Sequence, residues 1–434
     1  MNKNINHAKD LINFIYDSPS PYHVIDNAKK ILSENGFEEL DLIDKWKINK
    51  EGKYFVCQNN TSLFAFVMGT SELEESGFKI VAAHSDAPTF KVKPNPEISV
   101  DNKYLKFNTE TYGSPILNTW LDRPLSLAGR VSVRGKNVFK PDTHLLNIKH
   151  PIVVIPNLPI HFNRKVNEGI ELNKQVDMLP VTAVIDDEFN KDRFLASKIA
   201  DELNVAVDDI LEVELNLYDF TKGSIIGMNN EFISSGKLDD LAMVHAGLTA
   251  MINSKTSKAT NVLAIFDNEE VGSRSKQGAG SPILKDILNR ISVVLGKDDE
   301  DKQRAIYRSF MVSADMAHAY HPNRPEKHDP VNRPVINGGP AIKIEGNQKY
   351  TTDSDSCAVF EMICKDADVP YQKFVNRSDM QGGGTLGNVS AGQLAIRSVD
   401  IGNPMWGMHS IRETGGVDDH TYMTKALTSF FNAN

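Results

Sequence analysis

Apolar side chains recur at helical spacing near the start of the chain. Leu11, Ile12, Phe14 and Ile15 fall on one face, and after Ser18-Pro19-Ser20-Pro21 a second stripe runs through Val24, Ile25, Ala28, Ile31 and Leu32 until Gly36. The spacing predicts two helices, the second capped by Ser20 with Pro21 in its first turn, where its missing N–H would be unpaired in any case. The period then changes. Tyr54–Gln58, Ser62–Met68 and Phe78–Ala83 read as strands, the third almost wholly apolar, as befits a strand covered on both faces.

From Pro94 to Asn229 short alternating runs separated by turn residues take over, among them 126–133, 151–155 and 211–218. In the last, Leu211, Val213, Leu215 and Leu217 alternate with Glu212, Glu214 and Asn216, the period of a half-buried strand. One helix is expected at Asp192–Glu202. Beyond Glu231 helices and strands alternate again: helix 240–252, strand 261–266, helix 281–295, strands 310–313 and 341–344, helix 353–367, strand 372–377 and helix 418–431. The charged segment 296–304 (GKDDEDKQR) reads as a solvated loop. The pattern is an α/β domain made of residues 1–93 and 230–434, interrupted by a β-rich insertion at 94–229.

Length agrees with two domains, because 434 residues exceed the roughly 250–300 at which a single core stops growing. A net charge of −9 gives no electrostatic reason to bind nucleic acid or an anionic membrane surface. No apolar run approaches the eighteen or so residues of a membrane span, and the N-terminal LINFIY is too short and is broken by Asn13. Cys57, Cys357 and Cys364 form no CxxC and no even set, so neither a disulfide framework nor a thiolate zinc site is expected. These features predict a cytoplasmic protein whose metal, if it holds one, is bound by imidazole and carboxylate.

Three apolar strands each end in a polar cluster. KIVAAHSD ends in His84 and Asp86, VLAIFDNEE in Asp267, Glu269 and Glu270, and FMVSADMAH in Asp315 and His318. In open α/β sheets the carboxyl ends of strands line the ligand crevice, so groups far apart in sequence can converge there. Charges placed after buried strands are costly unless neutralised, and a divalent cation neutralises several together. His84 followed by Asp86 fits a ligating imidazole whose other nitrogen needs a partner to fix its orientation. Taken with Asp239 and His409, these hard donors without thiols suit zinc, manganese or cobalt in a two-metal hydrolytic site. In such sites one carboxylate bridges ions about 3.5–4 Å apart and a free carboxylate moves the proton of an attacking water. The GxGxxG match at Gly382–Gly387 lacks the context of a dinucleotide fingerprint and reads instead as a loop lining a substrate pocket.

SPSPYH (18–23), AAHSDAP (82–88), YGSPILNTWLDRPLSLAGRV (112–131), LDD (238–240), DNEEVGS (267–273), SADMAHAYHPN (313–323) and MHSIRE (408–413) together resemble, in order and over the whole chain, the M18 metallopeptidases, the aspartyl aminopeptidase-like enzymes. The resemblance implies an α/β/α zinc-peptidase domain with a central, mostly parallel sheet, interrupted by a β-rich dimerisation domain. It implies His84, Asp239, Glu270, Asp315 and His409 as ligands of two divalent ions, most often zinc, with Asp239 bridging and followed by a cis peptide. Asp86 would stand behind His84, and Glu269 would be the general base. His318, Lys343 and Tyr350 would hold substrate, Lys343 pairing with an acidic first side chain. His161, in the insertion, would reach a neighbouring subunit's site, where it polarises the scissile carbonyl; direct metal contact stays open. The family also implies a tetrahedral homododecamer built from dimers and an aminopeptidase acting on peptides with N-terminal Asp or Glu. Residues 379–387 (DMQGGGTLG) depart from the family's better-known eukaryotic members in being more glycine-rich, which bears on specificity. Two other readings remain: a different two-metal hydrolase, such as a carboxypeptidase or deacylase, and a non-catalytic self-assembling binding protein.

Overall fold

The computed structural model describes residues 3–186, 189 and 192–434. Its main sheet has nine strands in the spatial order 38–39, 53–58, 62–67, 260–266, 78–84, 310–314, 397–402, 341–344 and 372–375. The central strands 260–266, 78–84, 310–314 and 397–402 run parallel, whereas strand 62–67 at one side and strand 341–344 at the other are antiparallel to the central strand they adjoin. The sheet is therefore mixed around a parallel centre.

Strand Phe78–His84 is buried along its whole length, and its alternate side chains explain why. Val81 and Ala83 join the core under helices Lys3–Asp17, Pro21–Glu34, Leu238–Asn253, Ser354–Asp366 and Val417–Asn432. Ile80 and Ala82 join the core on the opposite face, under helices Ile283–Val294 and Asp299–Arg308. Helices on both faces thus bury both sides of the sheet, which is why its strands read as continuous apolar runs.

A second, antiparallel sheet of six strands (140–147, 125–137, 210–219, 89–100, 104–112 and 181–184) has its own core around Phe90, Phe107, Trp120 and Leu127. A third, of five strands, carries 413–416 and 317–318 toward the ends of the central strands. Among the described residues no helix is long and apolar enough to cross a membrane.

Several local expectations are corrected. Segment 296–304 is not a loop throughout: helix Asp299–Arg308 begins in it. The Asp298 carboxylate accepts from the Asp301 N–H at 2.9 Å, and Asp299, Glu300 and Asp301 crowd the first turn, where the helix dipole favours negative charge. Residues 151–155 contribute only isolated bridges, Leu125 to Val153 and Val154 to Val181, and no full strand. Ser20 occupies the cap position of helix Pro21–Glu34, but its hydroxyl bonds His23 Nδ1 at 2.8 Å in place of a backbone N–H. The cis peptide implied after Asp239 is present, by contrast: it joins Asp239 to Asp240, where helix Leu238–Asn253 departs from helical geometry.

Candidate metal centre

His84 is the last residue of its strand, and the parallel neighbours deliver Asp267–Glu270 and Asp315 to the same edge. Asp239 arrives from the start of helix Leu238–Asn253, and His409 from the turn after strand Pro404–Trp406, where it adopts φ +67°. A non-glycine residue held in that region is overdetermined by its surroundings, a feature of functional turns. His84 Nε2 lies 3.6 Å from Asp239 Oδ1 and 3.9 Å from Asp315 Oδ1; His409 Nε2 lies 3.6 Å from Asp239 Oδ2 and 3.3 Å from Glu270 Oε2. Asp239 thus faces both imidazoles, one with each oxygen.

Hydrogen bonds hold these groups from behind. Asp86 accepts from the Glu269 and Glu270 N–H groups at 3.1 Å each and from the Tyr112 hydroxyl at 2.7 Å, and its Oδ1 is 3.4 Å from His84 Nδ1. His84 Nδ1 also meets the Asp86 carbonyl at 3.0 Å, and His409 Nδ1 meets the Ser114 carbonyl at 3.1 Å. Both rings therefore donate from Nδ1 and present Nε2 to the cluster.

Two positioning groups were not picked out from the sequence. Glu413, fully buried, accepts from the Asp239 N–H at 3.1 Å and the His409 N–H at 2.8 Å, so one carboxylate sets two candidate ligands. Asp240 accepts from the His84 N–H at 3.1 Å. Their only sequence signal is position inside the LDD and MHSIRE motifs, because nothing local indicates that either carboxylate turns inward.

The electrostatics are those of a crowded acidic site. Burial drives the Glu269 carboxyl up to about 8, with repulsion from Asp315, Asp86 and Asp239 adding to it. Burial and neighbouring carboxylates also raise Glu270, Asp240 and Glu413 well above the usual range. Burial opposes ionisation of Asp86 and Asp239 as well, yet hydrogen bonding and attraction from His84 outweigh it and hold both low. Buried Asp239 Oδ1 and Glu270 Oε1 have no hydrogen-bond partner among the described residues. Groups of His, Asp and Glu atoms close enough to share an ion occur around both imidazoles: His84 with Asp239, Asp240 and Asp315, His84 with Glu269 and Glu270, and Asp239 with Glu270 and His409. Oxygen and imidazole donors with orphaned carboxylate oxygens fit a zinc-type cation.

The open side of the cluster is a cleft lined by His318, Lys343, Tyr350, Phe374, Gly383, Gly384 and Thr385. The glycine-rich loop therefore borders the pocket, as expected. Buried Lys343 lies 3.5 Å from Asp315 Oδ2, and His318, although its residue is open to the cleft, has its imidazole lowered to about 4 by the protein packed around the ring and by the Lys343 charge. His161 does not line this cleft; it is exposed between Ile160 and Phe162, side chains that are 49% and 80% exposed.

The family model described as Aminopeptidase I zinc metalloprotease (M18) matches residues 14–431. The chain is 56% identical over 432 residues to the "Probable M18 family aminopeptidase 2" of Clostridium acetobutylicum, covering 100% of both chains. Among solved structures it is similar to the chain in the cryo-EM structure of the Ape4 and Nbr1 complex (TM-score 0.94, 35% identity, covering 99% of this chain and 86% of that one). It is also similar to the S. cerevisiae mApe1 dodecamer (TM-score 0.85, 27% identity, 98% and 96% covered).

Proposed function

Because this chain belongs to the M18 family of zinc metalloprotease aminopeptidases, we propose that it removes N-terminal residues, preferentially Asp or Glu, from peptides at a centre holding two divalent ions, zinc foremost and manganese or cobalt as substitutes. The observation that carries this reading is the convergence of His84, Asp239, Glu270, Asp315 and His409 around buried carboxylate oxygens that have no other partner.

In this reading His84 and Asp315 would hold one ion and Glu270 and His409 the other, with Asp239, which turns one oxygen toward each imidazole, available to both. The ions, when bound, supply Lewis acidity that activates water and polarises the scissile carbonyl. Glu269 moves the proton: its carboxylate borders the cleft beside His84 and Glu270, where it can accept one from the attacking water and return it to the departing amine. Asp86 fixes His84 and the backbone of Glu269 and Glu270 together. Neutral His318 and the Tyr350 hydroxyl face the cleft as hydrogen-bonding groups for the peptide.

Lys343 is the buried cation of the cleft. Burial opposes its charge, but Asp315, Tyr350, Asp400 and Asp239 more than compensate and keep it protonated. It can therefore pair with a substrate carboxylate. Short peptides varied at the first residue and assayed with defined metals test this. Asp and Glu should be favoured over Leu in kcat/KM, N-acetylation should abolish cleavage, and Lys343→Met should cut the acidic preference by about tenfold or more. Cleavage that survives N-acetylation sinks the aminopeptidase reading, and an unchanged preference in Lys343→Met sinks this role for Lys343.

We also propose residues 94–229 as an oligomerisation domain, in a dimer-built homododecamer working in the cytoplasm. The support is the dodecameric relative together with exposed apolar side chains in this region, Val138, Phe139, Leu158 and Phe162 among them. His161, carried among those side chains, then serves the site of the partner copy. Co-assembled His161→Ala and Glu269→Gln chains should recover up to about a quarter of wild-type sites, because half of randomly paired dimers are mixed and each mixed dimer has one complete site. Verified mixed oligomers that stay inactive would rule out the shared site.

A further inference from the structure

A second group of metal-competent side chains lies away from the cleft. His7 on helix Lys3–Asp17, His245 on helix Leu238–Asn253 and His420 on helix Val417–Asn432 each offer one ring nitrogen within 4.8 Å of the other two. We propose that these three histidines bind one divalent ion of the imidazole-preferring kind, zinc, cobalt, nickel or copper, as a structural clip between the three helices.

The geometry is that of rings gathered about one point. Ring centroids are 4.4, 5.0 and 5.3 Å apart, and His245 Nδ1 and His420 Nε2 are separated by 2.9 Å. Two nitrogens about 2.0–2.1 Å from a tetrahedral ion stand roughly 3.3 Å apart, so a small opening of this pair admits the ion. Without an ion, one of these two nitrogens must carry a proton toward the other, and His420 Nδ1, on a residue only 1% exposed, has no partner among the described residues. The group is therefore hydrogen-bonded on one edge and unsatisfied on the other.

The surroundings favour neutral rings. Burial lowers all three imidazoles, His245 to about 3, with Asp10 partly opposing the effect at His7. Neutral imidazoles are the ligand form, so at pH 7 the donors are ready. The Thr424 hydroxyl donates to the His420 carbonyl and meets His7 Nε2 at 2.9 Å, so it orients His7 as outer hydrogen-bond partners orient metal-bound histidines. The Phe14 ring, 5.5 Å from that of His245, walls the group on its apolar side. His7 is the least buried of the three and gives a route from solvent.

The site would tie the first helix to the helix that begins beside Asp239, and it requires nothing of the catalytic reading. Wild-type protein and His7→Gln, both stripped by chelation and dialysed against Zn2+, are compared by metal analysis. Wild type should retain one more ion per chain, and only wild type should gain the additional Zn2+-dependent rise in melting temperature. Equal stoichiometry in two folded proteins overturns the proposal. Should His7→Gln fail to assemble, carbethoxylation of wild-type His7 mapped by mass spectrometry decides instead. Zn2+ should slow it at least tenfold, and an unchanged rate overturns the proposal equally.

Discussion

Glu269→Gln is expected to fold and keep its metal while turnover falls by about 10²–10⁴-fold, the range supplied by a positioned general base. The substitution preserves side-chain shape and leaves the Glu269 N–H free to donate to Asp86, so the backbone that also presents Glu270 stays in place. What it removes is a carboxylate that borders the cleft within reach of His84 and Glu270, where a proton can be exchanged with an attacking water. The experiment also separates two roles, because Glu269 stands close enough to His84 and Glu270 to serve as a ligand. Metal content measured with the rate constants decides: metal loss in parallel with activity would mark Glu269 as a ligand, and near wild-type turnover would leave the base elsewhere.

Removing the metals should abolish activity and reverse the usual dependence of stability on pH. In the metal-free protein burial raises Glu269 from 4.5 to about 8, and Glu270, Asp240 and Glu413 rise with it. A carboxyl with a raised folded-state pKa binds protons more tightly in the native chain than in the unfolded one. Its stabilisation is therefore complete below about 4.5 and is lost as pH rises through about 8. Divalent ions take over from the protons, and their affinity increases as the ligands ionise. Zn2+ should accordingly raise the melting temperature little at pH 5.5 and by several degrees at pH 8. A metal-induced shift that is flat or shrinks between these pH values contradicts the picture of a proton-stabilised acidic cluster.

The strands ending in HSD, DNEE and SADMAH were readable because a strand buried on both faces has no polar positions to spare. Polar residues clustered at its end are therefore informative. Asp240 and Glu413 escaped that logic. Each sits in an unremarkable local pattern, and its importance comes from accepting N–H bonds of residues 156 and 174 positions away in the chain. The charged segment 296–304 conceals its helix for a related reason: composition alone does not distinguish a solvated loop from the acidic first turn of a capped helix.

Sequence periodicity by itself determined that the chain is α/β with a β-rich interruption, because the spacing of apolar residues follows local backbone geometry. Chemistry at strand ends, strengthened by the M18 resemblance, pointed to the residue types proposed to carry the site. Only the tertiary structure decided which oxygen of Asp239 faces which imidazole and which backbone groups restrain them. It alone brought His7, His245 and His420 together from three helices. Those relations are distances between segments remote in sequence, and no local pattern records a distance that exists only after the chain has packed.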